Sequence, residues 1–361
     1  MNMKPNMKIF DSMKYLKFFA LLALCASLSG ACDKGHETGE TDVHGKYLVL
    51  NNGAWGKNNA SISLFNPKDG SVEANVFENI NGQKLGELGQ DMLFYGGQYF
   101  IAMNGSQCVW KTDAELKVLE RMTPKSAEGV SLSPRSLTVF DGEVYATFQE
   151  GYVGSVTAVK PLVGGLAMPE GLWADGNMLY VAESDGYGEG CSASKLGIIE
   201  KNGNELIYDG FDGLNKNLQA VVGCADKIYA LSWDIYNADY TEVLSPGKIQ
   251  SYEPSTGVVS DYKVENPIAM AVDGKGILYV LCNVNGKGSV YQIDMETGVA
   301  SAPLIRDVKN AYSISADANH VYIGTSDYVN TGNVLVCSHD GKLLYDFDCQ
   351  GINPQKIMYI P

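Results

Sequence analysis

The feature that most constrains the fold is a pattern that returns seven times along the chain. Each copy has a turn containing Asp, Asn or Gly, followed by an apolar run built on one aromatic residue, here called the anchor. From Tyr47 to Tyr322 the copies cover 275 residues in six steps, about 46 residues per step, which is typical of four-stranded propeller blades. The anchors are Tyr47, Phe100, Tyr145, Tyr180, Tyr229, Tyr279 and Tyr322.

The segments around the anchors predict antiparallel strands. A short apolar segment precedes each anchor, and a later segment ends in a tight turn containing Gly, as at 67–70, 200–203, 254–257, 295–298 and 339–341. Gly accepts the positive φ that such turns require. Runs of 4–7 residues rich in Val, Ile, Tyr and Leu indicate strands, and no window has a sustained helical period. The sequence therefore predicts an all-β chain with four-stranded antiparallel blades.

The two ends of the repeat predict how the ring closes. The chain enters the repeat at a second strand, 46–50, and finishes on 356–360, which resembles a first strand. Pairing the last strand into the first blade would remove two exposed sheet edges. We therefore expect a seven-bladed β-propeller whose first blade is closed by the C-terminal strand. An open solenoid is the alternative.

The N-terminal residues predict export and lipidation. A basic start is followed by an apolar stretch, 18–28, that is too short to span a bilayer. Residues 28–32 resemble the signal of bacterial lipoproteins, with cleavage before Cys32 and lipidation of its thiol. An ordinary secretory signal is the alternative. The expected domains are a signal peptide at 1–31, a flexible acidic tether at 32–45 and a propeller at 46–361.

This organisation also predicts where the protein is found. Acidic residues directly after Cys32 resemble the surface-export signals of some Gram-negative lipoproteins, although Lys34 interrupts the acidic run. We expect a protein anchored through lipid to the outer membrane and exposed on the cell surface, and a periplasm-facing location is the alternative.

Composition narrows the partners. The formal net charge of −15 argues against nucleic acid or an anionic membrane face as a partner. The propeller region contains six cysteines without the Cys-x-x-Cys spacing of zinc sites: Cys108, Cys191, Cys224, Cys282, Cys337 and Cys349. We expect buried free thiols, and export leaves one disulfide possible.

The loops between the second and third strands of the blades are expected to share one face around the channel. They carry most of the candidate chemistry, because aromatic rings and amides beside Gly recur in them. Such a set suits a large, flat, amphipathic ligand. The alternative is that these aromatics only plug the channel mouth. The candidate ligand-binding residues are Trp55, Asn58, Asn104, Tyr152, Tyr187, Trp233, Tyr236, Asn285 and Tyr328.

Signals for an enzyme are weak. His320 and His339 are expected in turns on the opposite face and the other two histidines in the tether, so the loop face lacks the usual general base. We expect no catalytic residue, no metal and no cofactor. A propeller lactonase is the enzymatic alternative, with Glu150, Glu183 and Asp234 as its candidate residues.

The first blade resembles a known family. Residues 50–63, the Phe-Asn-Pro at 65–67 and the segment 81–86 resemble the start of the YncE-like propeller lipoproteins, several of which are encoded beside TonB-dependent transporters. The chain is similar to the BtuG-type branch in its lipoprotein signal, length and blade pattern. That resemblance implies capture of a corrinoid, a ligand of the vitamin B12 type, for a TonB-dependent outer-membrane transporter. A propeller that caps a transporter through protein contacts alone is the alternative.

Overall fold

The computed structural model of the protein describes residues 45–157, 163–186, 188–203, 205–224, 226–295, 297 and 299–361. Within them, the apolar segments form seven four-stranded antiparallel sheets. Blade 1 contains β30 (Pro354–Ile360), β1 (Lys46–Asn51), β2 (Ser61–Phe65) and β3 (Val72–Glu73). Blade 2 contains β4 (Gly89–Tyr95), β5 (Gln98–Met103), β6 (Cys108–Thr112) and β7 (Val118–Met122). Blade 3 contains β8 (Pro134–Phe140), β9 (Glu143–Phe148), β10 (Tyr152–Ser155) and β11 (Val163–Gly164).

The remaining blades follow in chain order. Blade 4 contains β12 (Pro169–Asp175), β13 (Met178–Glu183), β14 (Lys195–Asn202) and β15 (Glu205–Phe211). Blade 5 contains β16 (Leu218–Cys224), β17 (Lys227–Ser232), β20 (Ile249–Glu253) and β21 (Val258–Tyr262). Blade 6 contains β22 (Pro267–Val272), β23 (Ile277–Val284), β24 (Lys287–Asp294) and β25 (Ile305–Lys309). Blade 7 contains β26 (Ala311–Ala316), β27 (His320–Thr325), β28 (Asn333–Ser338) and β29 (Leu343–Asp348).

The ring closes as the sequence predicts. The C-terminal strand β30 pairs antiparallel with β1, from Lys46 opposite Ile360 to Leu50 opposite Lys356. The seven first strands, β30, β4, β8, β12, β16, β22 and β26, contact one another in sequence around the ring. They therefore line a central channel, and the prediction of a seven-bladed propeller with a split first blade is confirmed.

The core lies between neighbouring blades, and the anchors fill it. Six anchors, from Phe100 to Tyr322, are buried and pair with the fifth residue of their blade's first strand. In blade 1 the fifth residue of the first strand is Met358, and it pairs with Leu48. The assignment of Tyr47 as the first anchor was therefore wrong by one position. A shift of one residue turns a side chain to the other face of the sheet, so Tyr47 packs towards blade 7, against Tyr322.

Turns and small insertions complete the ring. Gly70, Gly203, Gly257 and Gly341 have the positive φ that the turn pattern predicts. The fold is nearly all-β, with a short helix α1 (Val76–Asn81) and a 3-10 turn at Glu189–Cys191 as additions that the sequence analysis missed. The helix buries Val76 and Phe77.

A further insertion is a two-stranded hairpin, β18 (Ile235–Tyr236) with β19 (Val243–Ser245), between the second and third strands of blade 5. The six cysteines of the propeller are free thiols, and all but Cys224 are buried. None of the helices in the described residues is both long enough and apolar enough to cross a membrane. The predicted signal peptide at 1–31, Cys32 and all of the tether except residue 45 lie outside the described residues.

Candidate functional site

One end of the ring carries all the loops between second and third strands, and we call it the loop face. In every blade a backbone N–H at the end of the second strand donates to the carbonyl of the residue just before the first strand. The Asn104 N–H, for example, lies 2.8 Å from the Leu88 oxygen, and the Trp233 N–H lies 3.1 Å from the Asn217 oxygen. Because this bond joins the exit of the second strand to the start of the first, both lie at the same end of the blade. The predicted ligand-binding residues of the described chain therefore share one face.

Each first strand has a β-bulge directly after its first residue, at the loop-face end of the channel. In all seven blades the pairing with the second strand shifts by one residue there. Bulges re-aim side chains and are over-represented beside binding sites. The residue at this bulge is the second residue of each first strand, and it is polar in six of the seven blades. We call these seven residues the bulge ring: Gln90, Arg135, Glu170, Gln219, Ile268, Tyr312 and Gln355.

The bulge ring holds an ion pair whose carboxylate is buried. The Arg135 guanidinium donates from Nε to Glu170 Oε2 at 2.6 Å, with Nη2 at 2.5 Å from the same oxygen. Glu170 is only 6% exposed, and burial raises the pKa of its carboxyl, an effect that Arg135 opposes. Burial likewise raises the pKa of Tyr312 in blade 7, and the charge of Arg135 in blade 3 opposes that rise. The bulge ring therefore brings interacting polar groups of blades 3, 4 and 7 together at the loop-face end of the channel.

Removing the arginine should make the stability depend on pH. In Arg135→Met the buried Glu170 loses its partner, so the folded-state pKa of this carboxyl rises further. A raised folded pKa gives a stability contribution that is present at low pH and is lost as the pH rises through that pKa. We expect a loss of about 1–2 kcal/mol at pH 7.5 and a smaller loss at pH 5, since Arg135 is partly exposed. Urea unfolding at the two pH values measures it.

The matched control for that experiment is the double variant Arg135→Met with Glu170→Gln. It has no carboxyl to titrate at this site, so the extra pH dependence should disappear. Equal losses at pH 5 and pH 7.5 in the single variant would contradict the interpretation.

Trp233 lies at the edge of the channel mouth. It follows β17, and its indole N–H donates to the Ile268 oxygen of the neighbouring first strand at 2.8 Å. The ring is nevertheless 44% exposed. Asn52 in blade 1 and Asn104 in blade 2 occupy the same position as Trp233. Their side-chain amides likewise donate to a carbonyl of the neighbouring first strand, the Gly89 oxygen at 3.1 Å and the Pro134 oxygen at 3.4 Å. Trp233 thus holds a large aromatic face in a fixed position beside the channel.

Tyr328 contributes a second exposed ring at the mouth. It is 58% exposed, and its ring meets the bulge-ring residue Tyr312 edge to face, with centroids 5.7 Å apart. Its backbone N–H donates to Ser326 Oγ at 2.8 Å, which orders the loop. Tyr328, a predicted site residue, therefore contacts Tyr312, which the sequence did not indicate.

Tyr236 belongs to the hairpin rather than to the rim of the channel. Its hydroxyl donates to Asp234 Oδ2 at 3.2 Å, and its ring lies 6.1 Å from that of Tyr240. The hairpin has exposed apolar side chains, among which Tyr240 is 63% exposed. Tyr236, Tyr240, Val243 and Leu244 are exposed large hydrophobic residues of the insertion, and we call them the hairpin patch.

The other predicted site residues have different surroundings. Trp55 is 76% exposed at the tip of its loop, and Asn58 is exposed beside it. Asn285 is exposed in the two-residue turn between β23 and β24. Asn104 is buried, and its amide also donates to Gln149 Oε1 at 3.2 Å, whereas Tyr152 is partly buried in a core cluster. Tyr187 lies outside the described residues.

The three carboxylates of the lactonase alternative are engaged by the protein. Glu183 is fully buried and accepts from Tyr208 Oη at 2.5 Å and from the Ala167 N–H at 2.7 Å. Glu150 accepts from the Ser133 N–H, and Asp234 from the Gly247 N–H at 2.7 Å. In the part of the chain that the structure describes, no group of three or more His, Cys, Asp or Glu side chains could hold a metal ion.

The comparisons with known proteins support the fold. Neither a protein-family model nor a curated protein sequence matches the chain. Apo AztD from Citrobacter koseri is similar over 88% of this chain and 98% of its own, with 14% identity and a TM-score of 0.55. A candidate 6-phosphogluconolactonase from Bacteroides fragilis is similar over 88% of this chain and 99% of its own, with 11% identity and a TM-score of 0.59.

A second candidate 6-phosphogluconolactonase, from Bacteroides uniformis, has 12% identity and a TM-score of 0.59, over 87% of this chain and 99% of its own. At so low an identity, a shared architecture does not imply a shared function. The chain is therefore similar to known β-propellers in its overall fold.

Proposed function

We propose that the protein is a surface-exposed outer-membrane lipoprotein that captures a corrinoid on its loop face for a TonB-dependent transporter. The observation that carries this proposal is the channel mouth, where two exposed aromatic rings are fixed beside a ring of polar side chains. Trp233 is held by its bond to Ile268, and Tyr328 by its contact with Tyr312. Rigid aromatic anchors with few polar groups are what binding sites for large amphipathic molecules use.

The chemistry of the ligand fits this arrangement. A corrinoid is a flat macrocycle with amide arms, so it offers a face for stacking and an edge for hydrogen bonds. The bulge ring contributes three glutamines, Gln90, Gln219 and Gln355, whose amides can both donate and accept. Stacking on aromatic side chains adds about 0.5–1.5 kcal/mol per contact beyond the buried area.

The partner and the location rest on the lipoprotein signal and on the hairpin patch. The patch lies on an insertion between the second and third strands of blade 5, so a protein bound there would face the same side as the ligand. Exposed apolar patches that have polar residues at their rim are typical of interaction sites. We propose that the transporter contacts this side of the propeller.

A lactonase is the weaker candidate. It is favoured by the names of two structural neighbours, but their identity to this chain is 11–12%. The hydrogen bonds at Glu150, Glu183 and Asp234 leave these groups poorly placed to act as a general base, which must reach the substrate.

Calorimetric titration of the purified full-length chain with cyanocobalamin tests the proposal. We expect saturable binding with a Kd of about 1 µM or tighter, since several aromatic and amide contacts would act together. Absence of heat at tens of micromolar would contradict corrinoid capture and favour a propeller that acts through protein contacts alone.

A further inference from the structure

The face opposite the loop face carries an aromatic cluster that the proposed function does not use. It forms where blade 7 meets blade 1, because Tyr47 turns towards blade 7 instead of filling the anchor position. The Tyr47 ring lies 5.1 Å from the ring of Tyr359, and 5.9 Å from the rings of Tyr345 and His320. Rings from first, second and fourth strands therefore gather at one place.

These rings border an open cavity of about 590 Å³, which we call the groove. It lies among turns of the opposite face, since Pro67 follows β2 and Asn319 precedes β27. A volume of this size is within the usual range for small-molecule sites, about 300–1,000 Å³. The lining residues are Tyr47, Pro67, Asn319, His320, Leu344, Tyr345 and Tyr359.

His320 is unusual among the residues of this cavity. Its Nδ1 is buried without a hydrogen-bond partner in the described part of the chain. Buried polar atoms nearly always have a partner, and one that lacks it destabilises the fold. The ring is held instead by Tyr47, Tyr322 and Tyr359, whose centroids lie 5.9–6.2 Å away.

The lining is uncharged at neutral pH. Burial lowers the pKa of His320, so its imidazole is neutral, and burial raises the pKa of Tyr47 to about 12. A charged ligand would lose hydration here without gaining an ionic partner among the lining residues. Aromatic walls with hydroxyl, amide and imidazole groups instead match a neutral ring that has an apolar face and several hydrogen-bonding substituents.

We infer that this groove is a second binding site, separate from the channel mouth, and that it takes a neutral pyranose sugar. The faces of Tyr345 and Tyr359 would pack against the C–H face of the sugar. The Asn319 amide and the tyrosine hydroxyls would bond to its hydroxyl groups. Neither the corrinoid proposal nor its failure affects this site, because the two lie on opposite faces.

Saturation-transfer NMR on the full-length chain, in a detergent without a sugar headgroup, tests the inference. The probes are cellobiose, maltose and lactose, with phenol as a flat aromatic comparison. We expect transfer to the C–H protons of at least one disaccharide, and a drop of about fivefold in Tyr359→Ala, since a lost aromatic contact is worth roughly 1 kcal/mol. Tyr345→Phe keeps the ring and the packing, so it should fold and lose less of the signal.

The matched control is Tyr95→Ala. Tyr95 lies at the same end of the ring, in blade 2, and is an exposed tyrosine that does not line the groove. This variant should leave the transfer unchanged. Transfer to phenol alone, transfer to no probe, or sugar transfer that Tyr359→Ala leaves intact would each overturn the inference.

Discussion

A chain that ends at Asn353 should fail to form a stable propeller. It lacks β30, which pairs along the whole of β1 and contacts β4 on one side and β26 on the other. The strand also buries Ile357 and Ile360 between blades. Its loss exposes the edge of β1 and opens the ring, and the lost packing is large beside the 5–15 kcal/mol that stabilises a typical domain. We expect an insoluble or unfolded product.

Circular dichroism and thermal melting of the truncated chain measure this effect. A chain that ends at Ile360 lacks only the exposed Pro361 and is the matched control, which should melt within a few degrees of the full chain. Ile357→Ala keeps the strand and should cost about 2–4 kcal/mol through the cavity that it leaves. A cooperative melt of the truncated chain near that of the control would show that the ring does not depend on this closure.

Most of the fold follows from the local pattern of the sequence. The apolar runs and the turns with Gly are local patterns, and the period at which they recur, together with the two incomplete ends, predicts seven blades and their closure. The one misassigned anchor, Tyr47, depends instead on how strands far apart in the chain pair with each other. Tyr47 and Leu48 both suit the second strand of blade 1, and only the pairing of Leu48 with Met358 decides which of them fills the interface.

The candidate site is less predictable because its parts come from different blades. Aromatics and amides in the loops could be found from composition, and the structure places them on one face. The bulge ring was missed, since the contact of Arg135 with Glu170 appears only when first strands are aligned around the channel. One signal was available, however. Asn217, Asn266, Asn310 and Asn353 have positive φ and directly precede the first strands of blades 5, 6, 7 and 1, so in four of the seven blades an Asn marks the position two residues before the bulge-ring residue.

Replacing Trp233 by Ala should weaken cyanocobalamin binding about tenfold or more, since an aromatic anchor of a binding site often contributes 2 kcal/mol or more. The indole is held in position by its hydrogen bond to the Ile268 oxygen, so it loses little conformational entropy when a ligand stacks on it. The protein itself should lose only about 1 kcal/mol, because the ring is 44% exposed and its bond lies near solvent.

Calorimetric titration and thermal melting of the same preparation separate the two effects. Trp233→Phe removes the bond to Ile268 but keeps an aromatic face, so its affinity should lie between those of the wild type and the Ala variant. Tyr95→Ala, on the opposite face, should bind like the wild type. If Trp233→Ala melts many degrees lower and binds with unchanged affinity, the indole is a structural link between blades 5 and 6, and the ligand contacts another part of the loop face.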